Sequence, residues 1–183
     1  MPYQFKIQLK NISSPTVWRR VIVPEDFNFY QFHLVIQVAF GWGNMHLFQF
    51  SPSGYASYPM IKIRDEEFDY QYTETEVLQS HEVKLSRIFS AWNKFTYIYD
   101  FGDDWIHNIT LEKITEGKIL HAQCIKGQGA CPPEDCGGPY SYANLKEILE
   151  DKKHPEHKEI KEWLGLTARE KWDAEAVSYT HLT

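Results

Sequence analysis

The stretch KFTYIYDFGDDWIHNITLE, residues 94–112, contains the clearest β-hairpin signal in the chain. Residues 94–101 and 105–112 are rich in aromatic and β-branched side chains, which favour strands. The segment Gly-Asp-Asp at 102–104 separates them, and these residue types are typical of tight turns. The stretch therefore predicts two antiparallel strands that carry three aspartates and a histidine close to the turn.

The length of the turn decides which side chains share a face of this hairpin. A two-residue turn at Gly102 and Asp103 would place Asp100 and His107 on one face as diagonal neighbours. A three-residue loop would instead put His107 opposite Tyr99 on an aromatic face and point Asp100 away. Glycine at the first turn position favours the shorter turn, but the sequence leaves both registers open.

Outside the hairpin, the residue pattern predicts a mixed fold. Residues 3–9 alternate apolar and polar side chains, as a strand with one buried face does, and residues 16–23 predict a second strand. Residues 29–40 have apolar residues at helical spacing, between an N-cap at Asn28 and a stop at Gly41. Further predicted elements are strands at 46–50, 60–63 and 119–125, a surface loop at 65–80, a helical turn at 85–89, and helices at 142–150 and 155–164. We therefore expect an α+β fold: a mostly antiparallel sheet, one helix after the first strand pair, and C-terminal helices packed on the sheet.

The composition is that of a folded, acidic protein. Of 183 residues, 43% are hydrophobic and 15% are aromatic, a content that disordered chains do not reach. A net charge of −6 argues against nucleic-acid binding through overall charge, because that binding depends on lysine and arginine at phosphates. No apolar run reaches the ~18 residues of a membrane span, and the first residues lack a signal-peptide pattern. We therefore expect a cytoplasmic protein with no membrane partner.

The acids and the histidine of the hairpin are candidates for catalysis. Asp100, Asp104 and His107 combine carboxylates with an imidazole, a set that can bind a divalent metal or transfer protons. The alternative is structural, because aspartate and glycine are what tight turns prefer. Signatures of phosphate-binding loops, ester hydrolases and zinc proteases do not occur, so the sequence leaves open whether the protein is an enzyme.

The loop around CPPEDCGGPYSY, residues 131–142, is the second candidate site. Cys124, Cys131 and Cys136 lie within thirteen residues, which in a reducing compartment favours metal ligation or free thiols over disulfides. Three thiolates and one imidazole would complete a tetrahedral shell for zinc or another divalent metal. The histidine would be His107, His46 or His121. The alternative is that the cysteines are small apolar residues in a loop rich in glycine and proline.

The same loop offers polar groups to a ligand. Glu134 and Asp135 add acceptors, and the backbone N–H groups of Gly137 and Gly138 lie close to the start of a predicted helix, where an anion could bind. We therefore include the two acids among the candidate ligand-binding residues.

Two arginines and one histidine complete the candidate ligand-binding set. Arg19 and Arg20 are adjacent in a predicted strand, so they face opposite sides and cannot both be buried against the core. At least one should be exposed or paired with an acid, and a surface ion pair is the simpler expectation. His46 is the chemically interesting residue of the corner that follows the first predicted helix.

Four motifs, in this order, carry a resemblance to a known family. They are Trp18-Arg19-Arg20, Gly41-Trp42 with His46-Leu47, residues 99–105 with His107, and residues 130–139. Together they resemble the Ri-plasmid open-reading-frame-three-like family, whose members are also labelled insertion-element passenger or TnpR-type proteins. The resemblance runs from about Tyr3 to Val177. It implies a compact α+β domain of plasmid, transposon-associated and chromosomal origin, with no established reaction.

The end of the chain departs from the family pattern. Members tend to end with Phe-Asp, then Val-Asn and a leucine, whereas this chain has Trp172-Asp173 and then VSYTHLT at 177–183. We therefore expect a single domain over 1–177 and a non-native or disordered tail over 178–183. His181 lies in that tail and is left out of the candidate sites.

Three functions follow from these observations. The leading expectation is a non-enzymatic accessory or binding domain of mobile-element origin, with a cleft between the acidic hairpin and the cysteine loop that holds an unknown ligand or protein partner. The first alternative is a metal-dependent hydrolase or nuclease that uses Asp100, Asp104 and His107. The second is a specific DNA-binding protein, which the acidic net charge does not favour.

Overall fold

The protein is described by a computed structural model over residues 1–65, 67 and 69–177. In that part of the chain the strands are β1 Tyr3–Leu9, β2 Trp18–Val23, β3 Phe48–Ser51, β4 Met60–Lys62, β5 Val77–Gln79, β6 Lys94–Tyr99, β7 Trp105–Ile114 and β8 Gln123–Gln128. The helices are α1 Phe29–Phe40, α2 Leu85–Phe89, α3 Gly138–Glu150 and α4 His157–Trp163. The expected tail at 178–183, with His181, lies outside the described residues.

All eight strands form one sheet, in the order β5-β4-β3-β6-β7-β1-β2-β8. Neighbouring strands are antiparallel except β4 and β5, which are parallel. The α+β class and the mostly antiparallel sheet are therefore confirmed. Among the described residues, no helix is both long and apolar enough to cross a bilayer.

The strand pair β1 and β2 lies between β7 and the edge strand β8 of this sheet. Phe5 pairs with Val21, and β1 also pairs with β7 on its other side. Phe5, Ile7 and Leu9 are buried as predicted, whereas the polar face is only half-buried at Lys6 and Gln8 and is buried at Gln4. Each fully buried side chain of this size contributes roughly 1.5–3 kcal/mol to stability relative to an exposed one.

Helix α1 begins and ends where the sequence predicts. The side chain of Asn28 accepts a hydrogen bond from the Gln31 amide at 2.8 Å, and the Gln31 side chain accepts one from the Asn28 amide at 2.9 Å. This capping box satisfies two N–H groups at the helix start. Gly41 ends the helix with a φ of 77°, a left-handed conformation that favours glycine.

Several segments differ from the prediction, among them β8, which begins at Gln123 and not at residue 119. Residues 77–79 were expected in a surface loop, but they form β5, because a three-residue strand has too few alternating positions to be recognised. In the same segment Asp69 is buried, and its carboxylate lies 2.7 Å from the ammonium of Lys62. Helix α3 begins at Gly138 and not at Tyr142, with a proline in its first turn, where proline is well tolerated.

Candidate functional site

The hairpin loop between β6 and β7 is longer than either predicted turn. Tyr99 pairs with Trp105 and Tyr97 pairs with His107, which leaves residues 100–104 in the loop. The amide of Asp104 donates to the carbonyl of Asp100 at 2.8 Å, and these two aspartates have φ angles of 54° and 55°. Both predicted registers are therefore wrong, because aspartate tolerates the left-handed conformation that this loop needs at both ends.

His107 lies in the aromatic core. Its side chain is fully buried, and its Nδ1 atom donates to the Trp105 carbonyl at 2.9 Å. The rings of Phe40 and Trp42 pack edge-on against it, at centroid distances of 4.9 and 5.4 Å. Burial lowers the pKa of His107 to about 3, since a charged imidazole would lose its hydration. The expectation that His107 lies with Asp100 and Asp104 is wrong, because the observed register turns the imidazole ring away from the hairpin loop.

His46 takes the place that was expected for His107. Its Nε2 atom lies 2.9 Å from Oδ1 of Asp135 and 3.7 Å from Oδ2 of Asp100. One ligand atom from each of the three residues lies within 4.8 Å of the other two. The side chains come from the corner after α1, from the hairpin loop and from the cysteine loop. We call these three residues the His46 cluster.

The cysteine loop folds back onto the hairpin through Glu134. Its carboxylate accepts a hydrogen bond from the hydroxyl of Tyr99 and another, at 3.3 Å, from the amide of Gly43. Nearby, Nε1 of Trp42 donates to the carbonyl of Pro132 at 3.0 Å. Burial and the adjacent carboxylate raise the pKa of Tyr99 well above its ordinary value, so the hydroxyl remains a donor. Glu134 therefore fixes the loop and is already occupied by protein donors.

Asp103 and Asp104 of the hairpin loop also accept hydrogen bonds from neighbouring loops. Oδ2 of Asp103 accepts from the amide of Gly137 at 2.9 Å, and the carboxylate of Asp104 accepts from the hydroxyl of Tyr55. Gly138 has a φ of 81°, and a Cβ atom there would lie 2.6 Å from the Asp103 carbonyl oxygen. Only glycine fits this contact. Asp104 is therefore outside the His46 cluster, contrary to its expected role beside Asp100.

The three cysteines do not assemble the expected zinc site. In the described part of the chain, the group of potential metal ligands that converges is the His46 cluster, which contains no cysteine. Burial raises the pKa of Cys131 and of Cys136 to about 12 and also raises that of Cys124, which favours the thiol over the thiolate that a metal binds. The proposed Cys3His shell with His107, Cys124, Cys131 and Cys136 is therefore corrected.

Arg19, a candidate ligand-binding residue, makes its hydrogen bonds to the protein itself. It is buried, and its Nε donates to the carbonyl of Ala39 at 3.0 Å. The two terminal nitrogens donate to the carbonyls of Trp18, Gln128 and Gly129 and to Sγ of Cys131, at 2.8–3.1 Å. A guanidinium has five N–H groups, and all five have acceptors here. Arg19 thereby joins β2, the end of α1, β8 and the cysteine loop.

Arg20 faces the opposite side of β2, as expected from strand alternation. Its guanidinium makes two hydrogen bonds to the carboxylate of Glu112, at 2.6 and 2.7 Å. This contact lowers the pKa of Glu112 and raises that of Arg20. The expectation that one arginine pairs with an acid is confirmed, and Arg20 is therefore not available as a ligand-binding residue in this arrangement.

Sequence reasoning missed the tyrosines that hold the site. Tyr99 was expected as a strand residue within the 99–105 motif, and Tyr55 was given no role. Both donate hydroxyl hydrogen bonds to acids that lie far from them in sequence. No local pattern indicates such a pairing. The nearest signal was the alternation of Tyr97 and Tyr99 in the predicted hairpin, which places both on one face.

The His46 cluster is a surface site. Asp100 is largely buried, whereas His46 is partly exposed and Asp135 is exposed. A cavity of about 410 Å³ lies elsewhere, between α3, α4 and residues 168–174, and none of its lining residues belongs to the cluster. One imidazole and two carboxylates are ligands that zinc and manganese accept, and the exposed side leaves room for water on a bound ion.

Comparison with known proteins identifies the family. The chain matches the family model described as plasmid pRiA4b ORF-3-like protein over residues 2–181. It is 34% identical over 188 residues to the uncharacterized protein y4hQ of Sinorhizobium fredii, a match that covers 98% of this chain and 87% of that protein. It is also similar to the crystal structure of a protein of unknown function, MM3350, from Methanosarcina mazei Go1. That match has a TM-score of 0.77 and 30% identity, and covers 97% of this chain and 98% of the other. Because the family match spans nearly all of its length, this chain belongs to the plasmid pRiA4b ORF-3-like protein family.

Proposed function

We propose that this chain is an accessory binding domain of its plasmid-associated family, and that it holds a divalent cation between His46, Asp100 and Asp135. The observation that carries the proposal is the convergence of these three side chains from three separate segments. Hydrogen bonds to Glu134 and Asp103 join these segments, so the backbones that carry the three ligands are held close together without an ion. Such preorganisation reduces the cost of binding.

The spacing of the ligand atoms supports the proposal. In a tetrahedral zinc site with bonds of about 2.0–2.1 Å, neighbouring ligand atoms are about 3.3 Å apart. The distances from Nε2 of His46 to Asp135 and Asp100 are 2.9 and 3.7 Å, so small side-chain shifts would produce that spacing. An ion would also offset the repulsion between the two carboxylates.

The donor set indicates which ions to test. Imidazole suits zinc and other transition metals, and carboxylates suit manganese and magnesium. A mixed set with one imidazole favours Zn²⁺ or Mn²⁺ over Ca²⁺, which prefers six to eight oxygen ligands. With three protein ligands, positions remain for water or for a group from a bound partner.

Calorimetric titration of chelator-treated protein with Zn²⁺ and Mn²⁺ tests the proposal. We expect one ion per chain for the wild type and a loss of affinity of at least about tenfold for His46→Gln and for Asp135→Asn. Asparagine tolerates the left-handed φ of 56° at position 135, so that variant changes the ligand without straining the loop. Asp26→Asn, in the exposed turn before α1, is the matched control.

The cysteines provide a second comparison. Cys131→Ser should leave ion affinity unchanged, because Cys131 accepts a hydrogen bond from Arg19 and is not in the His46 cluster. A loss of the ion in this variant, with no loss in Asp135→Asn, would overturn the proposal in favour of a thiol site. The absence of any ion binding by the wild type would also overturn it.

The exposed side of the cluster favours one second candidate, a metal-dependent hydrolase or nuclease. A bound ion with open positions lowers the pKa of its water and so generates a nucleophile near neutral pH. In this arrangement the residues are His46, Asp100 and Asp135, since His107 and Asp104 lie outside the cluster. Hydrolysis of bis-p-nitrophenyl phosphate that requires both Mn²⁺ and His46 would support it; equal rates for wild type and His46→Gln would eliminate it.

A further inference from the structure

Four large apolar side chains are exposed next to the His46 cluster. Met45, Leu47, Tyr55 and Phe101 have exposed fractions of 74, 67, 50 and 39%. Apolar side chains that are exposed singly are ordinary, but a contiguous group commonly marks an interaction surface. An interaction surface requires that these four side chains lie next to one another.

Contacts in the structure connect them. Met45 and Leu47 flank His46 in the chain, and the amide of Asp100 donates to the Leu47 carbonyl at 2.9 Å. Phe101 follows Asp100, and the ring of Tyr55 packs edge-on against it at a centroid distance of 6.1 Å. These contacts place the four apolar side chains around the hairpin loop. We call them the apolar rim.

The rim surrounds a concentration of negative charge. The hairpin loop and the cysteine loop contribute five carboxylates, Asp100, Asp103, Asp104, Glu134 and Asp135. In the described part of the chain, none of them forms an ion pair with lysine or arginine, and their one ion-pair partner is His46. A divalent cation in the cluster would compensate only part of this charge. The surface is therefore negative with or without an ion.

We propose that this surface docks a peptide segment of a partner protein in which lysine or arginine lies between apolar residues. The cationic side chain would enter among the carboxylates, and its apolar neighbours would cover Met45, Leu47 and Phe101. Burial of the rim would supply affinity, and the charge would select basic segments and speed their association. The inference goes beyond the proposed function, because it requires the carboxylates and the rim but not the ion.

Amide chemical shifts of the labelled full chain provide the test. The probes are three compounds: the peptide acetyl-Phe-Lys-Leu-Arg-Leu-amide, the same peptide with glutamate in place of both basic residues, and spermidine. We expect the basic peptide to shift the amides of residues 43–47 and 100–104, and its affinity to fall as salt is raised. The acidic peptide should cause no shifts in these segments. Spermidine, which has charge but little apolar surface, should bind at least about tenfold more weakly.

Surface variants make the test specific. Leu47→Ser and Phe101→Ser should each weaken binding of the basic peptide by at least about threefold, since each removes apolar area from the rim. Leu120→Ser, at a residue that is 80% exposed between β7 and β8, should have no effect. Equal binding of the acidic peptide would overturn the proposal. So would an absence of shifts, or affinity that is unchanged in both rim variants.

The outcome is separable from that of the metal proposal. His46→Gln removes a metal ligand but keeps all five carboxylates and the rim, so it should retain peptide binding. A protein that binds the peptide without binding any ion would uphold this inference and overturn the proposed function. A protein that binds an ion but not the peptide would uphold the proposed function and overturn this inference.

Discussion

The hydroxyl of Tyr99 in β6 donates a hydrogen bond to the carboxylate of Glu134 in the cysteine loop. The same hydroxyl accepts one from the amide of Met45 at 3.0 Å. One side chain thus connects the three segments that supply the His46 cluster. The tyrosine contributes no ligand atom to the cluster, so its effect on ion binding must act through the positions of others.

We predict that Tyr99→Phe weakens ion binding although it removes no ligand. Without the hydroxyl, Glu134 keeps the Gly43 amide but loses its second donor. The cysteine loop is then held less firmly, so the affinity for Zn²⁺ should fall several-fold. The free energy of unfolding in urea should fall by about 1.5–3 kcal/mol, the cost of losing a hydrogen bond to a charged group. Calorimetry and urea unfolding measure the two effects. Tyr140→Phe, at an exposed tyrosine, is the control; wild-type ion affinity in Tyr99→Phe would contradict the positioning role.

We predict that Gly138→Ala is more damaging than the same change at Gly41. Gly138 and Gly41 have φ angles of 81° and 77°, so alanine pays a comparable cost of roughly 1–2 kcal/mol at either site. Only at Gly138 would the new Cβ also meet a backbone atom, the carbonyl oxygen of Asp103 at 2.6 Å. At Gly41 no atom lies within 4 Å of that position. Urea unfolding of both variants should show the larger loss for Gly138→Ala, and equal losses would show that the close approach is unimportant.

We predict that Arg19→Lys and Arg20→Lys have very different effects. Lysine has three donors on one nitrogen and cannot reach the five separate acceptors of Arg19. The buried carbonyls left without donors should cost at least about 3 kcal/mol, as judged by thermal or urea unfolding. Arg20→Lys alters a partly exposed ion pair with Glu112 and should cost about 0–1 kcal/mol. Similar losses for both variants would argue against the structural role of Arg19.

We predict that stability falls as pH drops from about 6.5 towards 5. Burial lowers the pKa of His33 to about 4 and that of His107 to about 3. Between these values and the unfolded pKa of about 6.5, the unfolded chain binds protons that the folded chain does not. Each histidine should therefore reduce the free energy of unfolding by about 1.4 kcal/mol per pH unit as the pH falls through this window.

Urea unfolding at pH 7, 6 and 5 measures this slope. His107→Gln should reduce the dependence of the unfolding free energy on pH by the contribution of one histidine, because glutamine does not titrate. His121→Gln, at an exposed histidine, is the matched control variant. An unchanged slope in His107→Gln would show that His107 is not held in its neutral form by the fold.

Local signals in the sequence determined much of the fold. The alternation of residues 3–9 and the capping residues of α1 act within one strand or one helical turn, so they can be recognised without knowing what lies nearby. The turn and strand preferences of residues 94–112 were equally local, and both strands of the hairpin are present. The short strand β5 was missed because its place depends on pairing with β4.

The candidate site depended on information that is not local. The sequence named His46, Asp100 and Asp135 individually, and one of the two registers it left open grouped Asp100 with His107. A register that differs by one residue turns every following side chain to the other face, and the two left-handed aspartates that set this register are not required by any turn preference. The structure therefore buried His107 and left His46 beside the acids.

By itself, the sequence determined the family, the α+β class and the chemical types of residue at the site, because these follow from composition, periodicity and motif order. Only the tertiary structure decided that Arg19 is buried and joins several segments by hydrogen bonds. It also decided that His46 lies beside Asp100 and Asp135, and that the cysteines belong to no ligand cluster in the described residues. The physical reason is that each of these outcomes depends on strand register and loop docking. Both are fixed by contacts between residues that are distant in sequence.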